Sequence, residues 1–88
     1  MCVRKWYYYT GNGDDTNPIN YICVPGLDPS MVCPGGPRIC AVLSCPNTVN
    51  PRIPAPFTEN LLNYMIIAKA IQWYYPLPPD KPYVYTQP

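Results

Sequence analysis

Fourteen of the 88 residues are proline, and no other feature limits the fold as strongly. Proline has a fixed φ and no N–H, which confines it to first helical turns, strand edges and loops. Pro46, Pro51, Pro54 and Pro56 leave residues 46–56 only an extended or polyproline II path. Pro25-Gly26, Pro29 and Pro34-Gly35-Gly36-Pro37 make residues 25–38 a loop. Prolines also extend the chain from Pro76 onward. Such content is a mark of disorder, but disordered chains are poor in aromatic and β-branched residues. This chain carries nine tyrosines and two tryptophans.

Regular elements are expected between the prolines. Val3-Arg4-Lys5-Trp6-Tyr7-Tyr8-Tyr9 reads as a strand, because aromatic and β-branched residues suit a pleated surface. Asn12-Gly13 is a turn signal, since both residues tolerate positive φ. The return strand is Ile19–Val24, across a hairpin or a wide loop. Ile39–Ser44 reads as a short buried strand. Tyr83–Thr86 is suited to a sheet edge, on its own subunit or a neighbour.

A helix is predicted from about Thr58 to Trp73. Thr58 is its N-cap, Glu59 favours the positive end of the dipole, and Pro76 stops it. Its apolar residues surround the axis, and a helix of that kind is normally buried. Two destinations follow: the centre of a small sheet-and-loop domain, or a subunit interface. The predicted class is a small α+β, β-rich, disulfide-containing domain with one apolar helix (58–73) and an extended Pro/Tyr-rich C-terminal tail. Residues 1–75 form the domain and 76–88 the tail, docked on the same or a neighbouring subunit.

An 88-residue domain buries a modest share of its surface, so staples or partners are expected. Five cysteines supply the first. No Cys-x-x-Cys occurs, His is absent, only Cys40 and Cys45 have the spacing of a zinc-ligand pair, and iron–sulfur spacings are not met. Disulfides are the expected use. Cys23, Cys33, Cys40 and Cys45 are the candidates for internal pairing, in an order that spacing leaves open. Cys2, set apart, is the candidate for an intermolecular bond, with a free or buried thiol as the alternative.

Few side chains are suited to catalysis. No His is present for acid–base work, the five acidic residues are scattered, and Ser30 and Ser44 lack an evident base. No catalytic, cofactor or metal site is therefore assigned. Asn12, Asp14, Asp15 and Asn17 form an oxygen-rich loop of the kind calcium prefers, but without EF-hand spacing; a solvated turn is the default. Pro76-Leu77-Pro78-Pro79-Asp80-Lys81 fits a PxxP pattern, yet the grooves that read it are chiefly intracellular. With a net charge of +1 and no basic run, attraction to nucleic acid or anionic membrane is expected to be weak. Tyr64–Ala68 is the longest apolar stretch, far short of a transmembrane segment.

Trp6-x-Tyr8, Gly11, Asn17-Pro18-x-Asn20-Tyr21, Cys33 and Cys40-Ala41-Val42 resemble small uncharacterised exported proteins of Bacteroidota. The resemblance covers the first half of the chain. It implies export and no activity. No leader is visible before the first strand, so export requires prior removal of a leader or another route.

The charged fraction is only 12%, about half the usual value, which points to self-association. The expected function is a non-catalytic structural subunit of an extracellular, self-assembling polymer, a filament or surface layer. It would be secreted or held at the cell surface as a homo-oligomer or polymer. Contacts are assigned to Trp6, Tyr7, Tyr8, Tyr9, Leu62, Met65, Ile66, Trp73, Tyr83 and Tyr85. The alternative is a secreted, disulfide-stapled binding module of the inhibitor, effector or toxin-like kind.

Overall fold

The first strand, β1 (Lys5–Tyr9), alternates its side chains between two faces, as the period of a strand demands. It pairs antiparallel with β2 (Tyr21–Cys23) on one side and with β3 (Arg38–Ser44) on the other. β3 also pairs antiparallel with β4 (Val84–Gln87), so the sheet runs β2-β1-β3-β4. The computed structural model describes residues 2–88.

Both central strands divide their side chains between two apolar clusters. Tyr7 and Val42 face the helix side, together with Tyr21, Ile39 and Val84. Tyr8, Cys40 and Ala41 face the other side. A register shift between Ile39 and Ala41 explains how Ile39 and Val42, three residues apart, share a face. The extra residue of a bulge interrupts strict alternation.

The helix α2 (Glu59–Ile71) crosses the first face. Thr58 caps it, its Oγ1 accepting from the Leu61 N–H at 3.2 Å. Leu61, Met65 and Ala68 are buried, and their i, i+4, i+7 spacing makes one stripe against the sheet. Burying each large apolar side chain contributes roughly 1.5–3 kcal/mol. The helix ends at Ile71 rather than Trp73, because Gln72 adopts the left-handed conformation (φ 57°) and donates its N–H to the Ala68 carbonyl. The opposite helix face is not covered: Ile66 is 62% exposed, and Ile67 and Ile71 are also exposed.

The other sheet face is partly covered by the loop of residues 25–37, which includes a single helical turn, α1 (Pro29–Val32), capped by Asp28. Cys33 bonds to Cys40 beneath it. Cys2 bonds to Cys45 within the same chain. That corrects the intermolecular assignment of Cys2. The thiol left over is Cys23, expected among the internally paired set. The reason is topological: β2 lies at the sheet edge remote from β4, while the β1–β3 pairing brings the chain before Lys5 beside the chain after Ser44.

The C-terminal segment is not an extended tail. Val84–Gln87 is integral to the sheet, and Tyr75 bridges to Val84 through N–H···O bonds of 3.0 Å in both directions. Residues 76–82 form the loop so closed, with a turn from the Asp80 N–H to the Leu77 carbonyl. The PxxP stretch lies within this loop. No helix is long and apolar enough to cross a membrane among the described residues.

Candidate functional site: an aromatic strip beside the outer sheet face

Four rings stand in an unbroken row. Trp6, from β1, meets Tyr85, from β4, edge-on at 5.3 Å between centroids. Tyr85 meets Tyr74 at 5.6 Å, and Tyr74 meets Trp73 at 5.2 Å. Each is a favourable aromatic geometry, since offset and edge contacts avoid opposing the negative ring faces. The row joins three separate segments. Alternation in β1 and β4 turns Trp6 and Tyr85 away from α2, and the left-handed Gln72 directs Trp73 and Tyr74 off the helix end.

The strip borders a groove of about 340 Å³ whose walls include Ser30, Cys33, Trp73, Tyr74, Pro82 and Tyr85. Gly35 forms its floor beside the indole and donates its N–H to the Thr86 carbonyl at 3.0 Å. Trp73 is 46% exposed, so this end of the row is open to a partner. Burial pushes the Tyr85 phenol above its ordinary range, aided by the Asp28 carboxylate and by Tyr74. Tyr8 is raised for the same leading reason. The Tyr8 hydroxyl donates to the Leu27 carbonyl.

The structure divides the predicted contact residues. Trp6, Tyr85 and Trp73 meet in the strip. Tyr7, Tyr8 and Met65 are buried in the chain's own core and are not available to a partner. Tyr7 packs under α2 and donates to the Pro51 carbonyl at 2.9 Å; Tyr8 donates to the Leu27 carbonyl at 2.5 Å. Tyr9 packs against Tyr21, while Leu62 and Tyr83 are half-buried beside the same core. Ile66 lies on the uncovered helix face. Tyr74 was not singled out from sequence. Its signal was an aromatic pair directly after a helix stop, where side chains leave the helical period.

The oxygen-rich loop is occupied by its own chain. Asp14 Oδ1 accepts from the Thr16 N–H and hydroxyl, which holds its carboxyl below the usual range. Asn17 Oδ1 caps a 3-10 turn at Pro18–Asn20, accepting from the Ile19 N–H. Asp15 pairs with Lys69 of α2 at 3.0 Å. No group of three potential metal-ligating residues occurs among the described residues.

Comparison with protein families, curated proteins and solved structures found no match to this chain.

Proposed function

We propose that this protein is a secreted, non-catalytic, disulfide-stapled binding module that engages its partner through the Trp6–Tyr85–Tyr74–Trp73 strip. The observation that carries the reading is the unbroken row of rings beside a groove, open to solvent at Trp73. Large, rigid aromatic side chains lose little conformational freedom on contact and dominate binding surfaces. Two disulfides suit an oxidising compartment, and the resemblance to exported proteins points the same way.

Both sheet edges favour a discrete module over growth by strand addition. β2 has three residues, and its Cys23 N–H donates to the Arg52 carbonyl. On the outer edge of β4, Tyr75 covers Val84 and Gly35 covers Thr86. Covered and shortened edges prevent pairing with another sheet. The test is a fragment screen followed by 1H–15N NMR. Planar and proline-containing fragments should shift Trp73, Tyr74 and Tyr85, and Trp73→Ala should abolish those shifts while the fold persists. Shifts confined to other surfaces would overturn the reading.

The second reading is a self-assembling extracellular subunit, favoured by the uncovered Ile66, Ile67 and Ile71 on α2. It expects concentration-dependent light scattering that Ile66→Asp removes. A monodisperse monomer at high concentration excludes it.

A further inference from the structure

A second cleft, of about 830 Å³, lies on another part of the surface and shares no lining residue with the aromatic groove. Its walls include Arg4, Lys81, Asp80, Asn60, Tyr64 and Tyr83. Its volume falls in the range of small-molecule sites. Two cations therefore face one carboxylate. Among the described residues the single ion pair is Lys69–Asp15, so neither Arg4 nor Lys81 forms an ion pair there, and with Asp80 the cleft's side chains carry a net charge of about +1.

Arg4 is held in place. Its guanidinium lies over the Tyr83 ring, with Cζ 5.3 Å from the centroid. A cation–π contact of this kind uses none of the guanidinium N–H donors, which leaves them available for an oxyanion. The Cys2–Cys45 bridge fixes the chain two residues before Arg4, and Cys45 itself lines the cleft. A staple, a strand start and a ring thus position one guanidinium. The remaining lining is mainly apolar, with Leu43, Ala55, Pro56 and Leu61 beside the Tyr64 and Tyr83 rings; set among them are the Asn60 carboxamide and the hydroxyls of Ser44 and Thr58, the latter already accepting from the Leu61 N–H. Rings that meet sugar C–H faces, together with amides and hydroxyls that meet sugar hydroxyls, match a polyhydroxylated ligand.

We propose that this cleft binds an acidic saccharide, with Arg4 and Lys81 holding a uronate carboxylate. Arginine recognises a carboxylate through two parallel hydrogen bonds, and lysine adds a point charge. The inference stands independently of the aromatic strip.

Calorimetry and 1H–15N NMR with trigalacturonate test it, with maltotriose as the neutral counterpart. Trigalacturonate should bind saturably, shift Arg4 Nε–H and Asn60, and weaken as salt is raised. Arg4→Gln/Lys81→Gln should reduce affinity roughly tenfold to hundredfold, the loss expected for charged hydrogen bonds. Arg52→Ala, whose side chain lies outside the cleft, should leave affinity unchanged. Should the double variant fail to fold, Lys81→Gln alone, on an exposed loop, should still weaken binding by roughly fivefold. Equal binding of maltotriose, a folded double variant with full affinity, or no saturable binding by about 10 mM would each overturn the proposal.

Discussion

Gly35 lies directly against Trp73: a Cβ at position 35 would sit 2.7 Å from Cε3 of the indole. The same glycine has a φ of +99°, in the region that side chains disfavour. One position therefore demands glycine for two reasons, and both concern the exposed end of the aromatic strip.

Gly35→Ala is accordingly expected to displace Trp73 from the groove and to destabilise the fold by about 1–3 kcal/mol. Denaturant unfolding reads the second effect, and Trp73 fluorescence in a Trp6→Phe background reads the first. An unchanged emission spectrum would show that the strip is not seated on Gly35.

The two disulfides should contribute unequally. Cys2–Cys45 spans 43 residues and Cys33–Cys40 spans seven. Loop-closure entropy then predicts losses of about 4 and about 2 kcal/mol for the respective Cys→Ser pairs. Cys2 is exposed whereas Cys33 and Cys40 are buried, so once the free Cys23 thiol has been blocked, mild reduction with a second alkylating agent should label Cys2 and Cys45 before Cys33 and Cys40. Mass spectrometry of the labelled peptides checks the order.

Neighbouring helix positions should respond in opposite ways. Met65 is buried against the sheet while Ile66 points to solvent. Met65→Ala is expected to cost about 2–5 kcal/mol, and Ile66→Ala to stay within about 0.5 kcal/mol. Equal losses would mean that the outer helix face is covered in solution.

Thr86 is buried, and its hydroxyl has no hydrogen-bond partner among the described residues. An unsatisfied buried hydroxyl carries its full desolvation cost. Thr86→Val keeps the branched shape and removes that group, so stability should rise by about 1 kcal/mol. A lower melting point for the variant would show that the hydroxyl is in fact bonded.

Burial raises the phenols of Tyr7, Tyr8, Tyr21 and Tyr85 above the ordinary value of 10.0, most strongly for Tyr21. The unfolded chain then releases these protons at lower pH than the folded one. Their contribution is fully present below about pH 10 and is lost as pH rises toward the folded values. Chemical unfolding followed from pH 7 to 11 should show a plateau and then a decline. Tyr21→Phe should flatten the decline, since it removes the strongest contributor.

Much of the local structure was legible from particular residues. Thr58 capped the helix, the aromatic run through Tyr9 formed β1, and β3 occupied the stretch between Pro37 and Pro46. These are short-range matters of cap geometry, side-chain shape and missing N–H groups, and they act wherever the residue stands.

The site was less legible. Trp6, Trp73 and Tyr85 were singled out from sequence as aromatic contacts, but Tyr74 was not, and Tyr7 and Tyr8 were placed on the wrong side of the surface. A run of three consecutive tyrosines specifies alternating faces without specifying what covers each face.

Proline spacing by itself determined where this chain could hold strands and a helix, because a fixed φ and an absent N–H need no partner to take effect. Only the tertiary structure decided the sheet order, the helix face that is buried and the partner of Cys2. Each of those depends on contacts between residues far apart in sequence, such as Cys2 with Cys45 or Tyr85 with Trp6, whose free energy exists only once the chain has brought them together.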